Sequence, residues 1–262
     1  MKEEHWQQSL VKHQSEYESL WRKHMQWLYL AYFREYTKGK KFQILLKSDL
    51  YDEAISEEGL LPAFIKNSEY AVAMDLSWPV AREGIENIQK QRPDWSMAVV
   101  TDALAPGFRE QSIDMVFSNS TLDHFSSKRE LHQALQQLAL CLKSGGMLII
   151  TLDNPVNPLI FLRNLLPFKI VRKLGFIPYF MGKTLNRKQL VRLLERHDFK
   201  IRNHTTLLHA PRILFIWLAR LICRFNMGHT WFLKLLRHFE KLEKLPTRDY
   251  TGYYVVVKAV KH

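Results

Sequence analysis

A three-layer, doubly wound α/β fold is what this sequence predicts, on three observations. Short apolar runs recur at 42–46, 70–74, 97–101, 113–118 and 147–152, with helical patterns at 79–91 and 128–142 between them. Strands set apart by helices over roughly 25–30 residues mark βαβ units and a parallel sheet. Each run is followed by polar or acidic residues, as strands are where they leave the sheet toward its loops. Finally, a chain of 262 residues that is 47% apolar can bury an ample core.

The remaining elements follow from the same periodicities. Residues 5–37 carry Trp6, Leu10, Tyr17, Leu20, Trp21, Met25, Leu28 and Tyr32 mostly three or four apart, which predicts an amphipathic helix or a pair of them. Residues 1–40 are therefore set apart as a helical extension, and 41–262 form the main domain. Gly145 and Gly146 mark a helix end ahead of the strand over 147–152. Beyond 153 the rhythm changes to a stretch rich in Pro, Leu, Phe and basic residues. A helix over 184–197 with Thr184 as its cap, a strand near 199–208, an apolar-basic stretch over 211–245, a turn at 247–252 and a last strand over 253–260 complete the chain. The apolar-basic stretches read as lid insertions at about 153–183 and 210–250, both leaving the carboxyl ends of strands.

Composition removes several classes. Cys141 and Cys223 are far apart in apolar surroundings, giving neither a disulfide framework nor a zinc site. The first residues lack a signal-peptide run, and a reducing, cytoplasmic setting is expected. Arg163, Arg220 and Arg224 interrupt the most apolar segments before they reach the ~18 residues of a spanning helix. No HExxH, DxD-type acid pair or CxxC is present, so no catalytic metal is expected, and the lack of a GxSxG elbow or a Walker loop removes the common hydrolase and NTPase readings. Charge is unevenly spread. Residues 1–154 hold 17 Lys and Arg against 21 Asp and Glu, a balance of −4, whereas 155–262 hold 21 against 5, a balance of +16. A basic half points to an anionic partner, a lipid surface or a nucleic acid.

The strand ends carry Asp49, Asp52 and Glu53 after the first run, Asp75 after the second and Asp102 after the third. Ser118, Asn119 and Ser120 close the fourth, Asp153 and Asn154 the fifth. Such residues cap helices as readily as they contact ligands. A carboxylate past the second strand is also the group that accepts a ribose diol in nucleotide folds.

These stretches together resemble the class I S-adenosylmethionine-dependent methyltransferases, in particular the bacterial ubiquinone-biosynthesis-like group, over about residues 40–210 and the final strand. Ala71-Val-Ala-Met-Asp75-Leu76-Ser77 is similar to the second-strand motif, and Val99-Val-Thr-Asp102-Ala103 to the third. Residues 112–125 resemble the fourth-strand motif with its His-containing helix start, residues 142–151 the entry to the fifth strand, and 184–199 the penultimate helix. The resemblance implies a seven-stranded, mostly parallel Rossmann-like sheet with an antiparallel last strand, and S-adenosyl-L-methionine as cofactor. It assigns the ribose to Asp75 with Leu76, the adenine to Asp102 and Ala103, and the pocket lining to Ser118 and Asn119. Asp49, with Asp52 or Glu53, would hold the cofactor's ammonium. One departure is plain: the family's glycine-rich first loop is replaced by Leu46–Ala54, which contains no glycine until Gly59. Glycines there allow close backbone approach and positive φ.

Methyl transfer from a sulfonium requires mainly alignment of the reacting atoms. Where the acceptor carries a proton, His124 at the cleft rim is the candidate base, with helix capping as its bland alternative. The second insertion places Arg220 and Arg224 on one helix face with Arg212 nearby, and Trp217, Trp231 and Phe232 at what would be a lipid boundary. The expected acceptor is therefore a hydrophobic or amphiphilic small molecule or lipid, with peripheral contact at the inner, anionic face of a membrane. A catalytically inactive binding or scaffold protein on the same fold and an RNA methyltransferase are the alternative readings.

Overall fold

The computed structural model describes residues 16–56, 59–166, 182–225 and 228–262. Helix α1 (Glu16–Thr37) precedes β1 (Phe42–Lys47), two short helices, α2 (Tyr51–Ile55) and α3 (Leu61–Asn67), and β2 (Ser68–Asp75). Then come α4 (Trp78–Gln89), β3 (Ala98–Val100), β4 (Ile113–Asn119), α5 (Lys128–Cys141) and β5 (Leu142–Asp153). The last part holds α6 (Pro158–Leu165), α7 (Arg187–Glu195), β6 (Phe199–Leu207), α8 (Arg212–Arg224), α9 (His229–Phe239), α10 (Arg248–Thr251) and β7 (Tyr254–Lys261).

The seven strands form one sheet in the order β3-β2-β1-β4-β5-β7-β6. Neighbours from β3 through β5 pair in parallel, and β7 runs antiparallel to both β5 and β6. Winding reverses between β1 and β4, which creates the crevice where open parallel sheets take their ligands.

Side chains alternate across the sheet with period two. Leu45, Met115, Phe117, Ile149 and Val256 face a layer made by α1, α2, α3 and α4. Leu46, Val116, Leu148, Ile150 and Val257 face α5 and α7. At the centre of the first layer the Phe117 ring meets Tyr29, Phe33 and Phe64 at centroid distances of 6.2, 6.3 and 5.0 Å. The N-terminal helix is thus part of the core.

Several boundaries differ from expectation. The helix expected to open at Thr184 begins at Arg187, because Asn186 accepts from the Gln189 amide while the Gln189 side chain returns a bond to the Asn186 amide. Thr184 is instead buried and donates to the Asp153 carbonyl. Strand β5 starts at Leu142, so Gly145 and Gly146 lie within it. The turn expected at 247–252 winds into α10. The N-terminal part of the helix expected over 5–37, and 167–181 of the first insertion, lie outside the described residues. Among the described residues no helix is long and apolar enough to cross a membrane.

Truncating the ring on which α1 and α3 converge tests this packing. Phe117→Ala should lower unfolding free energy by about 3–5 kcal/mol in urea denaturation, and a loss below about 1 kcal/mol would show that α1 is not docked on the sheet.

Candidate functional site

Strand β1 ends on a lysine inside the protein. Lys47 is fully buried, and its ammonium donates to Glu53 Oε2 (2.9 Å), Asp49 Oδ1 (3.1 Å) and the Asp49 carbonyl (2.9 Å). Burial works against its charge, but Asp49, Glu53 and Asp52 outweigh it and hold the ammonium protonated. Glu53 is equally committed. Its Oε1 accepts the amides of Leu60 (2.9 Å) and Leu61 (3.1 Å), which fixes the start of α3. Gly59 lies so close that an added Cβ would sit 2.6 Å from Glu53 Cγ, so the residue there must be glycine.

The crevice between β1 and β4 is bridged by side chains. Ser48 Oγ and Thr121 Oγ1 are 2.7 Å apart, Thr121 donates to Asp49 Oδ2 (3.3 Å), and Asn119 Nδ2 donates to Asp52 Oδ2 (3.1 Å). Burial raises the Asp52 carboxyl to about 7 despite Lys47, and Asp49 and Glu53 add to the rise. From α1, the buried Tyr29 comes within electrostatic reach of Asp52, and burial first and Asp52 second push its phenol upward. Tyr29 therefore stays protonated.

Asp75 ties this turn to β2. Its Oδ2 accepts the Leu50 amide and its Oδ1 the Ser77 amide, both at 2.9 Å. Burial pushes its carboxyl up to about 6 against those two bonds. Leu50 itself is fully buried and packs against Gly84. Asp102 follows β3, whose neighbour Thr101 donates its amide to the Asp75 carbonyl (2.9 Å), and Asp102 Oδ1 accepts from the Leu104 amide (2.9 Å). Ala103 is buried and Leu76 exposed.

Past β4 the chain turns through Leu122–His124. Asp123 is buried, accepts the Asp153 amide through Oδ2 (2.9 Å), and places Oδ1 3.7 Å from His124 Nε2. Burial and the charge of Asp153 raise the Asp123 carboxyl to about 6. Asp153 in turn pairs with Arg163 at 2.5 Å, so that arginine of the first insertion is internal. The chain returning from the first insertion runs against the same turn. The Gly182 amide donates to the Asp123 carbonyl (2.7 Å), and a Cβ at 182 would lie 1.8 Å from the Phe125 carbonyl oxygen.

Charge and unmet bonding capacity both gather at this end of the sheet. Asp49, Asp52, Glu53 and Asp75 surround one ammonium, and the buried Ser77 Oγ, Ser118 Oγ and Asn119 Oδ1 find no hydrogen-bond partner among the described residues. Among the described residues no group of three or more His, Cys, Asp or Glu is arranged to hold a metal ion.

Comparison with known proteins agrees with this frame. Residues 57–150, about a third of the chain, match the family described as "Methyltransferase domain". The fold is the Rossmann-like fold of methyltransferases. A geranyl diphosphate C-methyltransferase from Streptomyces coelicolor, solved with Mg2+, geranyl diphosphate and S-adenosyl-L-homocysteine, aligns with a TM-score of 0.56 at 17% identity, over 89% of this chain and 78% of that one. The magnesium protoporphyrin IX methyltransferase from Synechocystis, with bound S-adenosylhomocysteine, gives 0.55 at 10% identity over 94% and 84%. The [4+2]-cyclase SpnF gives 0.54 at 13% over 87% and 77%. At such identities the likeness is one of fold, and it spans proteins named for different reactions. Comparison with curated proteins finds no match.

Of the residues singled out by sequence, Asp49, Asp52, Glu53, Asp75 and Asn119 are joined around the first turn by hydrogen bonds and close charges. Ser118 lies beside Asn119 in β4, Asp102 and Ala103 follow β3, and His124 sits beyond β4 against Asp123. Glu53, offered as an ammonium holder, is taken up by Lys47 and the two α3 amides. Sequence reasoning missed Lys47, Tyr29, Thr121 and Asp123. Lys47 left one signal, a lysine closing an apolar strand just ahead of three acids.

Two predictions follow from this electrostatics. Lys47→Met strands buried carboxylates and should cost about 3–5 kcal/mol in urea denaturation at neutral pH, with a loss under about 1 kcal/mol refuting the ion cluster. An aspartate whose folded pKa exceeds its unfolded value binds protons more tightly when folded, so its contribution falls as pH rises from about 4 to about 7. Asp52→Asn should flatten that decline and leave the variant more stable than the parent at about pH 8. An unchanged profile would place Asp52 in water.

Proposed function

We propose that the protein is an S-adenosylmethionine-dependent methyltransferase acting on a hydrophobic or amphiphilic acceptor. The observation that carries this reading is the excess of carboxylate at the switch point of the sheet, with Glu53 buried and Asp49, Asp52 and Asp75 half-buried around one lysine. An unbalanced anionic cluster next to unpartnered acceptor oxygens at Ser118 and Asn119 suits a cationic ligand with N–H donors. The methionyl ammonium and the sulfonium of S-adenosylmethionine are such groups, and the bound sulfonium supplies an activated methyl.

The roles of the chain's own residues follow from their places. Asp49 and Asp52 accept from the ammonium. Each oxygen of Asp75 holds one backbone amide and keeps one lone-pair site, enough for the two ribose hydroxyls. Asp102 and the backbone at Ala103 meet the adenine edge. Tyr29, held protonated, closes the crevice from above β4 and excludes water. On the acceptor side His124 takes up a proton where the acceptor carries one, with Asp123 beside it to balance the imidazolium. The exposed Phe161, Leu162 and Leu165 of α6, which rises from the end of β5, give an acceptor its apolar contact.

A second reading, a cofactor-free binding protein on this fold, is favoured by one feature of the first turn. Leu50 is fully buried and its amide already occupies Asp75, where a glycine loop would leave more room. Calorimetry with S-adenosylhomocysteine separates the two. The enzyme reading expects binding, and Asp75→Ala should weaken it by at least about tenfold with the circular dichroism melt still cooperative. No heat and no thermal shift at about 1 mM ligand would leave the binding-protein reading standing.

A further inference from the structure

We infer that the exposed face of α8 is a docking surface for an anionic lipid bilayer, on which the protein lies peripherally. From residue 211 to 239 the chain holds five Lys and Arg and no Asp or Glu. Helix α8 splits this segment into two faces. Its inner face packs Phe215 and Ala219 on Leu20 of α1 and on Phe232 and Leu236 of α9. Its outer face exposes Ile213, Leu214, Trp217, Leu221 and Phe225 together with Arg220 and Arg224, and Trp217 and Phe225 are 60% and 58% exposed. At 100° per residue these seven side chains fall within an arc of roughly 140°, with the arginines on one flank.

A continuous apolar strip of this size needs a partner. A second copy is a poor one, since a two-fold contact would oppose Arg220 and Arg224 to their own copies with no acid on the helix to separate them. RNA would call for polar surroundings around stacking rings, whereas the two rings of this strip lie among the aliphatic side chains of Ile213, Leu214 and Leu221. A bilayer rich in anionic headgroups meets every feature at once. Ile213, Leu214, Leu221 and Phe225 enter the acyl boundary, Trp217 sits at the headgroup level, and the arginine stems lie along the apolar surface with their guanidinium groups on phosphates. Two residues expected on this face are elsewhere. Phe232 is fully buried against Phe215, and Arg212 turns inward to Tyr253 Oη (3.0 Å). Helix α9 offers the exposed Trp231 in place of Phe232. None of the seven residues is a strand-end carboxylate, so this inference does not depend on methyl transfer.

Flotation of the full chain at physiological salt, with vesicles of equal parts phosphatidylglycerol and phosphatidylcholine, tests it. Binding should be strong there and much weaker on phosphatidylcholine alone. Arg220→Gln combined with Arg224→Gln should weaken it about twenty-fold or more. Brominated acyl chains should quench tryptophan emission in the parent, and Trp217→Phe should lose part of that quenching; this readout decides the matter should the double variant fail to fold. Absence of flotation, equal binding to both vesicles, quenching unchanged by Trp217→Phe, RNA retention without lipid binding, or a dimer abolished by Trp217→Ser would each overturn the inference.

Discussion

The ammonium of Lys47, buried between Asp49 and Glu53, is the interaction on which the functional end of the sheet depends. It lets the chain leave β1 without a glycine-rich turn. The lysine draws the backbone of Asp49 back over its own strand, and Glu53 then seats the amides that begin α3. A lone buried charge is costly, and so is a buried carboxylate, so each holds the other in place. The turn that results presents Leu50 to Asp75 and Asp52 to Asn119, which links the ends of β1, β2 and β4.

This arrangement places negative charge where the parallel strands end and leaves it undercompensated. Burial first, and neighbouring carboxylates after it, raise the carboxyls of Asp52, Asp75 and Asp123. Helix α1 then covers it. Tyr29 stands on Phe117 within electrostatic reach of Asp52, and Phe33 packs on Phe64 and Phe117, so the extension that precedes the sheet helps to shape the crevice.

The basic half of the chain serves two purposes. Arg163 and Arg187 are spent internally on Asp153 and Asp249, where they anchor α6 and α7. Arg220 and Arg224 stay on the surface beside exposed apolar residues. The basic half therefore holds both structural pairs and surface arginines.

Short apolar runs and helical spacing determined the fold class, the strand positions and the order of most elements, because strands covered on both faces are apolar almost throughout. They also located Asp49, Asp75, Asp102 and Asn119 at strand ends. Where a cap had competitors, as with Thr184 against Asn186, local pattern misled, since the Thr184 hydroxyl, two residues earlier, found a carbonyl in β5. The partners of the acids were invisible: Lys47 looked like an ordinary strand end, and Tyr29 lay within the helical stretch without belonging to its apolar stripe. Which face of α8 is wet, and that Phe232 and Arg212 turn inward, depended on how α1 and α9 close on it. Those contacts join residues up to some two hundred positions apart, and no short-range periodicity carries them.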